Sequence, residues 1–263
     1  RPAIFVALRS YAKPENRTRA VTLIRLAINL GFSFGPALGG FLIATAGYQG
    51  LFWVDGLTCI AAAVLMLATL TRKAPVIDGG ASRSTPDRSP YTDGPFLLFL
   101  LSMVLISVPF LQYFSTVPIF YNTVHGLSEQ WIGILLGTNG LLIFILEMPL
   151  IKYCEDKAID RFRIMRFSVV LIALSFMVLN VFPVIAFLWV GMALMTVGEM
   201  LNFPFMNRFA YDRSDHGPPG AYMALFTISW SVAHIFGHTL GLNLIAQFGF
   251  EITWWFFAAF LLV

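Results

Sequence analysis

The chain has 263 residues, of which 58% are hydrophobic and 12% charged, with a mean hydropathy of +0.77 and a formal charge of +3. Soluble domains carry about 25% charged residues, so this composition excludes a water-soluble domain and makes lipid the chain's main solvent. The 17 Lys and Arg fall into four clusters, Arg1 to Arg25, Arg72 to Arg88, Lys152 to Arg166 and Arg208 to Arg213, a distribution that excludes a nucleic-acid binder.

The intervals between clusters hold 46, 63, 41 and 50 residues. A membrane-spanning helix needs about 20 residues. Each interval therefore holds a pair of spans, and the chain returns to the same side every time. The opposite turns, near Gly47, His125, Pro183 and Gly249, carry no Lys or Arg. By the positive-inside rule the basic clusters are cytoplasmic.

Residues 1–11 read as the end of a span, with Arg1 beside Pro2. The next span is 18–46. Arg25 and Asn29 lie one turn apart near its cytoplasmic end and are substrate-cavity candidates, with snorkelling of Arg25 to the surface as the alternative. The stretch NLGFSFGPALGG follows, with Gly31, Gly35 and Gly39 spaced on one helix face beside Pro36 and Gly40. Glycine weakens a helix by about 1 kcal/mol against alanine. In lipid, small residues let two helices approach closely, and proline permits a bend. A helix-packing or gating surface is the expectation, with static packing of a helix pair as the alternative. Residues 51–71 form the next span.

Residues 72–94 are rich in Pro, Gly, Ser and charge and read as a cytoplasmic loop between two helical bundles. The expected organisation is 1–71 as the end of an N-terminal bundle, the loop at 72–94, and 95–263 as a C-terminal bundle. Within 95–122, Gln112 and Tyr113 are candidates to line a substrate cavity, as is Asn139 within 129–151. Glu147, just before Pro149, is a weaker proton-coupling candidate that also suits a loop-anchoring charge. Asp156, Lys157, Asp160 and Arg161 form an acidic and basic cytoplasmic loop ahead of the span 164–182.

The span 184–207 carries Glu199, about 13 Å along the helix from Arg208 at 1.5 Å per residue. An ionisable group at that depth costs about 2.5–3.5 kcal/mol on insertion scales, and burial helps a carboxyl bind and release protons near neutral pH. Glu199 is the leading proton-coupling candidate, with Arg1 as its candidate partner. A hydrogen-bonded structural carboxyl near Pro204 is the alternative. Asn202, on the same helix, joins the cavity candidates. In 219–247, His234 does too. With His238 it shares a helix face, but two ligands do not make a metal site, and no metal is expected. A final span starts at 252.

Shifting the chain by 202 positions aligns FGPALGGFLIATAGYQGLFW at 34–53 with FGHTLGLNLIAQFGFEITWW at 236–255. Both copies leave a cytoplasmic loop and reach an outer turn, so the repeat is parallel. It implies two similar bundles related by an axis along the membrane normal. Counting from the repeat makes 18–46 the fifth span of twelve, with about three and a half spans of a longer protein preceding it.

The order of spans, the loop between halves and the pattern Gly31-x-x-x-Gly35-Pro36-x-x-Gly39-Gly40 resemble the major facilitator superfamily, and the Gly-Pro pattern resembles that of its drug:proton antiporters. The loop from Tyr153 to Arg163 is similar to the family's acidic and basic loop but lacks its glycines. The segment Gly198-Glu199-Met-Leu-Asn202-Phe-Pro204 is similar to tenth helices of exporters and of proton-coupled peptide transporters. The resemblance implies an all-α fold of two six-helix bundles in which the fifth and eighth helices meet between the halves. It implies a monomeric, multi-pass carrier in the plasma membrane, in bacteria the inner membrane, working by alternating access. Its expected partners are lipid, protons and a small-molecule substrate, and it needs no cofactor beyond the proton gradient. Efflux of drug-like or amphipathic compounds is the expected activity. Proton-coupled uptake of peptides or other small solutes, and a non-transporting sensor, are the alternatives. An enzyme is not expected, because the sequence holds no catalytic set at a membrane face.

Overall fold

A computed structural model describes residues 17–69, 89–181, 184–214 and 216–262. Arg1, the span at 1–11, most of the loop at 72–94 and the turn at Pro183 lie outside the described residues, as do the side chains of Arg25 and Asn29. Every regular element described is helical.

The elements in chain order are α1 (Arg17–Thr69), α2 (Gly94–Ser115), α3 (Val117–Thr123), α4 (Glu129–Asp156), α5 (Arg161–Val181), α6 (Ile185–Ser214) and α7 (Pro219–Leu262). A 3-10 turn, Pro90–Thr92, precedes α2. Among the described residues, six stretches are long and apolar enough to cross a bilayer.

Two of these helices are pairs of spans joined at a glycine. α1 breaks at Gly47 (φ 67°, ψ −178°) and α7 at Gly249 (φ 78°, ψ 176°). Only glycine adopts this conformation without strain. The two breaks are 202 residues apart, the offset of the sequence repeat, so the repeat recurs in backbone conformation. At Gly47 the chain folds back. Leu51 Cδ1 lies 3.7 Å from the position of a Cβ on Gly39, although those residues would be about 18 Å apart along an unbroken helix.

The described residues form two compact units. The first joins 17–69 with 129–144. Here α1 and α4 touch through backbone: a Cβ on Gly40 would lie 2.5 Å from the Glu129 carbonyl oxygen, and one on Gly133 would lie 2.5 Å from that of Pro36. The glycine ladder is therefore used unevenly. Gly40 is at the contact, Gly39 faces Leu51, and Gly31 and Gly35 have nothing within 4 Å.

The second unit joins 89–128 with 145–262. On α2, Phe96, Phe99, Leu100 and Met103 form one helix stripe. They pack on Met206 and Ala210 of α6 and on Tyr222 and Phe226 of α7. The α5–α6 seam is built from small residues. Gly191 lies against Ser175 and Leu179, and Gly198 against Ser168 and Ile172. A Cβ on Gly198 would fall 2.7 Å from Ile172 Cγ1, so the close approach requires glycine there. In lipid such packing, rather than exclusion of water, holds helices together.

Near the Gly249 break, Trp254 is fully buried among Phe120, Phe176 and Phe250. The apolar run 95–122, expected as one span, is interrupted at Thr116. Pro118 has no N–H, so the helical bond to Phe114 cannot form, and α3 restarts from Thr116. Both α4 and α6 run past the apolar segments, to Asp156 and Ser214. Their charged last turns remain helical.

Candidate transport site and cytoplasmic ion-pair network

Glu199 is half-buried on α6, next to Gly198 in the α5 seam and one turn before Phe203. The Phe203 ring lies 4.7 Å from Phe110 of α2, edge-on, and 4.9 Å from Trp230 of α7. Phe110 in turn meets Phe114 at 5.4 Å. A carboxyl group therefore sits one turn from an aromatic cluster drawn from three helices. His234 is exposed, with its ring 6.4 Å from Trp230, so the cluster reaches one of the expected cavity residues.

Other candidates are placed differently. Gln112 is fully buried and acts as a clasp between helices. Its Nε2 donates to the carbonyls of Val108 and Gly237, each at 2.9 Å, and its Oε1 accepts from the Thr116 hydroxyl at 2.9 Å. The absence of a side chain on Gly241 leaves room for this amide. Tyr113 is fully buried against Phe176, with its hydroxyl 3.5 Å from the Gly191 carbonyl. Asn202 is also fully buried, and neither its Nδ2 nor its Oδ1 has a hydrogen-bond partner among the described residues. Its spacing from Gly191 and Gly198 puts it on the α5-facing stripe of α6. Asn139 and Glu147 are buried on α4, Asn139 in the first compact unit and Glu147 in the second.

The basic end of the second unit carries a network that the sequence does not announce. Asp93 caps α2, its Oδ1 accepting from the Phe96 N–H at 3.4 Å. Its carboxylate is fully buried and takes two bonds from Arg213 of α6, Nε to Oδ2 at 2.7 Å and Nη2 to Oδ1 at 2.6 Å. The buried Tyr222 hydroxyl of α7 donates to Oδ2 at 3.0 Å. The Arg213 hydrogen bonds, against the opposing effect of burial, hold the Asp93 carboxyl down at about 2.

Two more ion pairs meet the same end of α6. Arg208 reaches Glu155 of α4 at 2.8 Å, and Asp212 meets Arg161 of α5 at 2.7 Å. Both are exposed, and the Arg161 guanidinium lies 5.5 Å from the ring centres of Phe162 and Phe209. They border an open cavity of about 310 Å³ lined also by Cys154, Ile159 and Phe205. Within the expected loop, Lys157 closes α4, and Asp160 caps α5 by accepting the Arg163 N–H at 3.0 Å. Ala158 takes a left-handed conformation (φ 47°) where a glycine is usual.

Asp93 had one sequence signal, an aspartate before Gly-Pro and an apolar run, which is an N-cap pattern. Its partner is 120 residues away, and no local pattern links the two.

Helical spans in parallel repeat and tight glycine seams define a polytopic α-helical membrane fold. The chain belongs to the Major Facilitator Superfamily, whose family model matches residues 1–238. It is 28% identical over 262 residues to the MFS-type transporter SLC18B1 of Mus musculus, covering 91% of this chain and 54% of that protein. It is 23% identical over 258 residues to the uncharacterized MFS-type transporter YqjV of Bacillus subtilis (strain 168), covering 94% of this chain and 61% of that protein. A Na(+), Li(+), K(+)/H(+) antiporter of Planococcus maritimus is 23% identical over 175 residues, covering 60% of this chain and 40% of the relative. The chain thus spans little more than half the length of the first two. All are named as transporters, none as an enzyme.

Proposed function

We propose that the protein containing this chain is a proton-coupled secondary transporter that exports small amphipathic or drug-like molecules by alternating access. The observation that carries this reading is Glu199, a half-buried carboxyl on a membrane helix one turn from the Phe110–Phe203–Trp230 cluster. Protonation would neutralise the carboxyl and shift the balance between inward- and outward-facing states. A substrate with different affinity for those two states would be coupled to the same balance. The Gly-Pro face of α1, in backbone contact with Gly133 of α4, supports a surface suited to close approach. Its likeness to drug:proton antiporters supports export. A functional monomer in the plasma membrane, the inner membrane in bacteria, belongs to the same reading.

A second reading, exchange of alkali cations for protons, is favoured by the name of the Planococcus maritimus relative. One experiment separates the two. Full-length carrier is reconstituted into proteoliposomes holding a pH-sensitive dye, and a proton gradient is imposed. Lipophilic cations, short peptides and Na+, Li+ or K+ are then added in turn. Proton movement evoked by drug-like compounds and lost in Glu199→Gln supports the first reading. Movement evoked only by alkali ions supports the second. Proton movement in the same direction as a peptide would indicate symport. No substrate-evoked proton movement with any compound would remove the proton-coupled reading.

A further inference from the structure

α6 and α7 run in opposite directions, and two contacts set their register. Met206 and Ala210 of α6 share one cluster with Tyr222 and Phe226 of α7, and the Phe203 ring lies 4.9 Å from that of Trp230. Each step back along α6 is therefore matched by a step forward along α7. Four residues back from Phe203 stands Glu199, and four residues on from Trp230 stands His234. On a helix that step is one turn, about 6 Å, and it returns to nearly the same face. A half-buried carboxyl and an exposed imidazole are thus brought to one level, each a turn beyond one ring of the same contact. α2 adds Phe114 there, one turn on from the Phe110 ring that meets Phe203.

We propose that His234 pairs with Glu199 across the Phe203–Trp230 contact, and that the imidazole is the group of the pair that takes up and releases the proton. Its place in a transport cycle rests on the reading of Glu199 given above; the pairing itself does not. A protonated imidazole beside an ionised carboxylate leaves the pair neutral, and paired charges are tolerated in an apolar setting where lone ones are not. When the proton leaves for water, the electron pair of the N–H bond stays on the ring nitrogen and the carboxylate loses its counter-charge. A permanent organic cation can then take the place of the imidazolium. Proton and substrate become alternatives at one carboxylate, which couples the two. Histidine suits this task because it is the side chain that ordinarily changes charge between about pH 5 and 8.

Among the described residues, no other acidic or basic group comes to this level from the elements packed on α7, which are α2, α5, α6 and, at its start, the turn Pro90–Thr92. Within the span of α2 the titratable group is the Tyr113 phenol, which is buried against Phe176. Residues 167–181 of α5 carry no acidic or basic side chain, and residues 185–207 of α6 carry Glu199 alone. On α7 itself, Glu251 lies past the break at Gly249. His238 is one turn further on, at the level of Met195, which is fully buried.

Two measurements on the full-length carrier test this. In the first, a parent without other cysteines carries Glu199→Cys and His234→Cys, with a protease site in the turn between α6 and α7. After cleavage in membranes, a short bifunctional methanethiosulfonate should hold the two fragments together until reductant is added. Val197→Cys with His234→Cys is the comparison. Val197 packs on the cluster of Cys154 and Ile164, so these fragments should separate. No bridge between 199 and 234, or equal bridging in the comparison, overturns the pairing.

In the second, proteoliposomes holding a pH-sensitive dye receive tetraphenylphosphonium, a permanent cation with no proton of its own. In the parent, cation movement should drive protons the opposite way, at a rate that changes between about pH 5 and 8. His234→Gln should keep the cation flux but lose both the evoked proton movement and the pH dependence. A residue that only packs α6 on α7 would lower flux and proton movement together. That parallel loss, or unchanged proton movement per cation in His234→Gln, refutes the proton-handling role. A parent that moves neither ion counts against the transport reading alone, and the bridging result still decides the pairing.

Discussion

A Cβ placed on Gly133 would stand 3.2 Å from the Cα of Gly40, so α1 and α4 meet with no side chain between them. The same Cβ would lie 2.5 Å from the Pro36 carbonyl oxygen, which is backbone and cannot rotate away. Gly133→Ala and Gly40→Ala must push the helices apart, at a cost of about 1–3 kcal/mol for overpacking. Gly31→Ala and Gly35→Ala meet nothing within 4 Å and should gain up to about 1 kcal/mol of helix propensity. Thermal unfolding of the four variants in one detergent measures the split. Equal losses at all four positions would show that the ladder works as a uniform surface.

The buried Asp93 carboxylate predicts an acid limit for the second unit. Its folded value of about 2 lies below the ordinary 3.8, so its contribution is complete above pH 4 and is lost as pH falls through 2. The shift corresponds to about 2 kcal/mol. Asp93→Asn removes this dependence and leaves Arg213 facing a neutral amide, at a cost of about 3–5 kcal/mol for a broken buried pair. Unfolding followed from pH 7 to pH 2 should slope downward below pH 4 in the parent and lie lower but flatter in Asp93→Asn. A slope of the same size in both would assign the acid sensitivity to other carboxylates.

Much of the fold could be read from where charge and hydropathy alternate, because lipid imposes both. The offset of 202 residues was visible as matching letters, and Gly47 and Gly249 share it in conformation. Helix ends were less legible. Hydropathy marks where the lipid stops, whereas α4 and α6 continue through charged turns into water. The site was legible only in its parts. That Gln112 is polar inside a span is plain from the sequence. That its amide is committed to Gly237 on α7 depends on a contact 125 residues away. Asp93 shows the same limit, since an N-cap is local and a guanidinium partner is not. The difference between Gly35 and Gly40 depends on which face meets α4, and helical spacing alone leaves that open.

Ala158 adopts φ 47° after the end of α4, where the Ile159 N–H bonds to the Cys154 carbonyl at 3.1 Å and the Ala158 N–H to that of Glu155 at 2.9 Å. This closing turn favours glycine, because a Cβ in the left-handed region costs about 1–2 kcal/mol. Ala158→Gly should therefore raise the melting temperature, by a stabilisation of about 1 kcal/mol after allowance for the more flexible unfolded chain. A β-branched residue is the opposite test, and Ala158→Val should lower it. If Ala158→Gly destabilises, the strain at this position is compensated by contacts of the methyl group.

Gln112 and Gly241 form a pair whose coupling can be measured. The glutamine amide occupies the place that a side chain at 241 would need. Gly241→Ala should cost about 1–3 kcal/mol by displacing the amide from the Gly237 carbonyl. Gln112→Ala, which opens space and removes the clasp, should cost about 1–3 kcal/mol as well. In the double variant the new methyl enters the space that the amide vacated, so the two losses should fall short of their sum by at least about 1 kcal/mol, as expected for residues in contact. A cycle of unfolding measurements gives this number directly. Simple additivity would mean that the amide moves away freely, and Gln112 could then turn toward a substrate. Strong coupling fixes it as the bolt between α2 and α7.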